Sequence, residues 1–139
     1  MANSASFRDE AAGERPGLTL KALGLCIAGW LVGYLVSCVS SILLFVLSGI
    51  SPHEPASALV ITLTALYGMA FAVLAAVVGA SFSRRNALGI GCAIACTIAA
   101  VAFWSDSVTP THAHWSQMVA IFLMAHAAQL GSLFRRLPY

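Results

Sequence analysis

Long uncharged runs separated by short polar links organise this chain. No Asp, Glu, Lys or Arg occurs from Ala22 to Pro52 or from Pro55 to Ser83, and two further apolar stretches run from about Asn86 to Trp104 and from about Trp115 to Phe134. An α-helix rises about 1.5 Å per residue, so about 20 apolar residues cross the hydrocarbon core of a bilayer. The pattern therefore predicts four transmembrane helices, over about 22–49, 56–81, 86–104 and 115–134. A membrane strand would alternate apolar and polar residues over about ten positions. These runs are apolar all round, so the expected fold class is all-α, a four-helix membrane bundle.

The links fit that division. Ser51-Pro52-His53-Glu54-Pro55 breaks the first helix with two prolines, and Pro55 suits the first turn of the next. Ser81 to Asn86 forms a short polar link, and Trp104 to His114 is the longest connector, with Pro110 at its centre and Thr111 placed to cap the fourth helix. Short links make neighbouring helices antiparallel. Residues 1–17 are small, polar and of mixed charge, the composition of a mobile tail. Residues 18–139 form a single transmembrane domain. The apolar run behind Lys21 is too long for a cleavable signal. It also exceeds what a bilayer needs, so the first helix tilts, or its first turns protrude and bring Trp30 and Tyr34 near the inner interface.

Charge supplies the orientation. Arg8, Arg15 and Lys21 precede the first span, Arg84 and Arg85 lie in the middle link, and Arg135 and Arg136 follow the last. With four spans, all seven fall on one side. The opposite links carry no Lys or Arg, only Glu54, Asp106, His53, His112 and His114. The positive-inside rule then puts both termini in the cytoplasm, with Trp104 and Trp115 in the outer aromatic belt. A compact chain of this kind fits a bacterial inner membrane.

Composition agrees. Of 139 residues, 60% are hydrophobic and 9% charged, against about one quarter charged in ordinary soluble domains. Disorder, a collagen-like fibre and a disulfide scaffold are excluded. Seven spread cations and a net charge of +2 make no patch for nucleic acid. The expected partner is the lipid bilayer, with a homo-oligomer or a larger membrane complex beyond it.

Helices in lipid associate through close backbone approach and interhelical hydrogen bonds. Gly29, Gly33, Ser37 and Ser41 recur every four residues on the first helix, Gly68, Ala72, Ala76 and Ala80 on the second, and Ala87, Gly91, Ala95 and Ala99 on the third. Each stripe is either a dimer face or a packing face within one chain.

Three groups carry candidate chemistry. His53 and Glu54 in one outer link, with Asp106, His112 and His114 in the other, have imidazole and carboxylate ligands suited to Zn²⁺, Cu²⁺, Ni²⁺ or Fe²⁺. Their spacing matches no strict metal motif, and helix capping and solvation explain the same residues. His126 is the ionisable side chain well inside a span, with Gln129 one turn on along the same face. Proton transfer, substrate contact and haem ligation compete there with a neutral imidazole bonded to Ser37, Ser40, Ser41, Thr62, Thr64 or Thr97; haem ligation lacks a second intramembrane histidine. Cys26, Cys38, Cys92 and Cys96 fall within spans, where a thiol packs as a small hydrophobe.

No Gly-rich phosphate loop, HExxH, GxSxG or membrane carboxylate occurs in the chain. No catalytic residue is named and the reading leans away from an enzyme; no cofactor is expected, with a divalent metal as the alternative. The leading expectation is an accessory or structural membrane subunit. The alternatives are a small transporter or channel protomer using His126 and Gln129, and a membrane metal-binding protein using His53, Glu54, His112 and His114.

Overall fold

The computed structural model describes residues 16–109 and 113–136. Helix α1 spans Pro16–Ser48, α2 spans Ala58–Ala80, and α3 spans Ala87–Val108 behind a single 3₁₀ turn at Arg84–Asn86. Helix α4 is built from Trp115–Val119, a π-helical turn at Ala120–Met124, and Ala125–Arg136. All four are long and apolar enough to cross a membrane. No strand occurs among the described residues.

The helix ends follow local chemistry. Proline suits a first helical turn because its missing N–H has no intrahelical partner there, and α1 starts at Pro16, inside the stretch assigned from sequence to the tail. Residues 1–15 lie outside the described residues. At the far end Gly49 takes φ 66° and its N–H reaches Phe45 O at 3.0 Å, the left-handed stop that glycine adopts without a Cβ clash. Helix α2 begins after Ser57, whose Oγ accepts from the Val60 N–H at 3.4 Å, and not at Pro55. Proline has no side-chain oxygen to cap with. Helix α3 runs past Trp104 to Val108, since Ser107 and Thr109 bond back to Trp104 O and Ser105 O. The connector is correspondingly shorter than the sequence implied. Thr111, expected to cap α4, lies outside the described residues.

Around the bundle α1 packs on α2, α2 on α4, α4 on α3 and α3 on α1, with α2 and α3 also meeting across the middle. The interior is made of small side chains: Ala72, Ala75, Ala76, Ala80, Ala87, Ala95 and Ala128 are buried around Ile90, Ile94 and Ile98. A Cβ at Gly33 would lie 2.5 Å from Ile94 Cδ1 and 2.8 Å from Ala75 O, and one at Gly131 would lie 2.5 Å from Val73 O. Gly91 likewise abuts Ser132, and Gly29 abuts Gly79. Leu35, Val46, Leu47, Leu59, Phe103 and Phe122 point outward and are more than half exposed. Large apolar side chains outside and small ones inside is the arrangement expected when lipid is the solvent.

Candidate functional site: an uncharged cavity at the acidic end of the bundle

The bundle has a basic end, with Arg84, Arg85 and Arg135, and an acidic end, with Glu54 and Asp106. At the acidic end the two links are fastened together. The Trp115 indole donates to Glu54 O at 2.8 Å, the Ser116 hydroxyl reaches Pro52 O at 2.8 Å, and the Ala113 N–H donates to His53 O at 3.1 Å.

Beneath this lock the helices part around a cavity of about 400 Å³, within the range of about 300–1,000 Å³ typical of small-molecule sites. Helix α1 contributes Tyr34, Ser37, Cys38, Ser40 and Ser41, α2 contributes Thr64, Tyr67 and Gly68, and α3 contributes Ala102 and Ser105. Ser116, Gln117 and Met124 come from α4, and Pro52 and His53 from the link above. The π-helical turn, a feature that recurs at functional sites, supplies Ala120 and Met124 to the wall. Met124 leans over the missing side chain of Gly68, where a Cβ would meet its sulfur at 3.0 Å. Below that level the Gly33, Ile94 and Ala75 contacts close the bundle.

The wall is mostly apolar, with hydroxyls, Gln117 and His53 set into it, and no Asp, Glu, Lys or Arg among the described residues lines it. Several hydroxyl protons are already committed. Ser40 and Ser41 donate to Ser37 O at 2.8 and 3.0 Å, and Tyr67 donates to Ser40 O at 3.3 Å. A hydroxyl retains acceptor lone pairs after donating, so these groups offer acceptors to an occupant. Gln117 is buried, with Oε1 2.8 Å from the Ser116 hydroxyl and Nε2 3.5 Å from His53 Nδ1. The site therefore suits a small neutral molecule, mostly apolar, carrying hydrogen-bond donors.

The residues singled out from sequence are distributed differently. His53 lines the cavity mouth, whereas the Glu54 side chain is exposed. His114 Nδ1 contacts the Asp106 carboxylate, and His112 lies outside the described residues. Among the described residues no three His, Cys, Asp or Glu side chains gather as a metal set. His126 and Gln129 are exposed on the outer side of α4, and none of the hydroxyls proposed as partners reaches His126. Thr97 instead accepts from the Trp30 indole at 3.0 Å and donates to Ala93 O at 2.8 Å, and Thr62 donates to Ala58 O. Trp30 thus packs against α3 and Tyr34 lines the cavity.

Gly29, Gly33 and Ser37 are buried within the chain and Ser41 is half-buried; Gly68, Ala72, Ala76 and Ala80 are all buried. Cys92 and Cys96 are exposed on α3, Cys26 accepts from Asn86 Nδ2 at 3.2 Å, and all four thiols are free. Sequence reasoning missed Gln117, Tyr67, Ser105 and Ser116. The available signal was the Ser116-Gln117 pair, polar residues in the first turn of the fourth span.

Comparison with family models, with characterised proteins and with solved structures gives no match.

Proposed function

We propose that the chain is an integral membrane protein of four antiparallel spans which binds a small uncharged molecule in the cavity at its acidic end. The carrying observation is the cavity of about 400 Å³, whose mostly apolar wall is set with hydroxyls and the buried Gln117 and carries no charged side chain among the described residues. A neutral site excludes ions and favours an amphiphile with hydroxyl or amine donors, since desolvating a charge without a counter-charge is costly. The basic residues at the opposite end support an orientation with both termini cytoplasmic, in a bacterial inner membrane. The cavity then faces outward.

The test uses Cys38, which is half-buried in the cavity wall. In a variant with Cys26, Cys92 and Cys96 changed to Ala, a membrane-impermeant thiol reagent added on the outer side is expected to label Cys38. Hexanol, as a neutral probe, should slow that labelling at least fivefold. A thiol that stays unreactive from the outer side, or a labelling rate indifferent to hexanol, overturns the proposal.

A second reading, an accessory subunit that assembles with itself or with a larger partner, is favoured by the outward-facing His126 and Gln129. A transporter that used these two residues would have to form its path between chains. The metal-binding reading has no comparable support among the described residues.

A further inference from the structure

The side of α4 that faces away from the other helices is not uniformly apolar. Phe122, His126, Gln129 and Leu133 are all exposed on it. They recur at intervals of four, three and four residues, the spacing of a left-handed helix-pairing seam. Both polar members lie inside the 21-residue span Trp115–Arg135; at 1.5 Å per residue His126 is roughly 14 Å and Gln129 roughly 9 Å from its nearer end. A bilayer offers no water at that depth, so a carboxamide and an imidazole facing hydrocarbon leave donors and acceptors unmet. Neither side chain forms a hydrogen bond with a described residue. Polar groups inside a membrane almost always face a protein interior or a partner.

We propose that this seam joins two copies of the chain, related by a two-fold axis along the membrane normal, with Gln129 and His126 meeting their counterparts across it. The seam is complementary to itself. A carboxamide carries both donors and an acceptor, and a neutral imidazole carries one N–H and one bare nitrogen. A two-fold axis puts identical residues opposite one another at the same depth, so a second copy supplies what each group lacks. Any other partner would have to carry matched polar residues of its own at that level. Phe122 and Leu133 flank the pair and add van der Waals contact, the main attraction between helices in lipid. Gln117 lies on the buried side of α4, so the seam leaves the cavity uncovered. The proposal rests on membrane insertion and not on the occupancy of that cavity.

Cross-linking in native membranes tests it. In a background with Cys26, Cys38, Cys92 and Cys96 replaced by Ala, single cysteines at 122, 126, 129 and 133 are expected to form disulfide-linked dimers on oxidation. Cysteines at 127 and 128, on the buried side, should not. Carbonate washing beforehand separates a failure of insertion from a failure of pairing. In detergent, energy transfer between labelled chains should show Gln129→Leu weakening self-association by about three- to twentyfold, the scale of a hydrogen bond between membrane helices. His126→Leu should act similarly, and both residues are exposed, so neither change should unfold the chain. The proposal is overturned by monomers across the whole range, by cross-links at 127 or 128 in place of the seam, by a different protein trapped at 126, or by dimers indifferent to both substitutions.

Discussion

Gly79 stands directly against Gly29: a Cβ added at Gly79 would lie 2.6 Å from the Gly29 carbonyl oxygen and 3.0 Å from Ile94 Cδ1. Backbone on one side of that gap cannot move as a flexible side chain can. Gly79→Val is therefore expected to force α1 away from α2, at a cost of about 1–3 kcal/mol on the scale of overpacked cores. Gly89, where a Cβ meets nothing within 4 Å, is the control. Unfolding titrations in mixed micelles should show Gly79→Val destabilised and Gly89→Val unchanged or slightly stabilised, since a helix disfavours glycine; equal stabilities would refute the contact.

The same helix is tied to α3 by the Trp30 indole, which donates to Thr97 Oγ1 at 3.0 Å. Thr97→Val keeps the shape of the side chain and removes the acceptor. The expected loss is about 0.6 kcal/mol and at most about 1.7, the range for such bonds in membranes. Thr97→Ser should retain most of the stability. If the serine and valine variants unfold together, the hydrogen bond contributes nothing.

At the acidic end, the Trp115–Glu54 and Ser116–Pro52 bonds hold one link on the other. Each is worth about 1 kcal/mol net, and losing both should loosen the links locally. Amide hydrogen exchange over residues 50–57 is expected to speed up in the Trp115→Phe, Ser116→Ala double variant, while amides in the middle of α2 stay protected. Uniform acceleration along the chain, or none, would contradict a local lock.

The number and placement of the helices were legible because bilayer thickness fixes how long an apolar run must be. Their ends were less so. Ser105, Asp106 and Ser107 remain helical because a helix needs only backbone bonding, not apolar side chains. The inward faces left no hydrophobic signature, since α1 to α3 are apolar on every side. Side-chain size was the informative variable instead. On α4, Ala125, Ala128, Gly131 and Ser132 turn inward while Phe122, Leu130 and Leu133 turn outward. That division carries His126 and Gln129 to the outside, which polarity alone would not reveal. The cavity was illegible because its wall is drawn from all four helices and from a link. No local spacing brings Ser41, Tyr67, Ser105 and Gln117 together; only the packing order does. The pairing of His114 with Asp106 likewise joins residues eight positions apart that no local spacing brings together.

Ala102 separates the two roles that the cavity can have. It is 8% exposed and lines the wall, so Ala102→Leu directs three extra carbon atoms into the open space. Burying apolar groups where no neighbour has to move stabilises by up to about 0.8 kcal/mol per methylene. The variant is therefore expected to unfold later than the parent chain, and at the same time to lose protection of Cys38 by hexanol. Natural proteins commonly keep voids that a substitution can fill, so the loss of hexanol protection, and not the gain in stability, is what reports binding. If Ala102→Leu is destabilised, the wall is already in contact at that point and the cavity is smaller than 400 Å³ in solution. If it is stabilised yet hexanol still protects Cys38, the probe binds elsewhere.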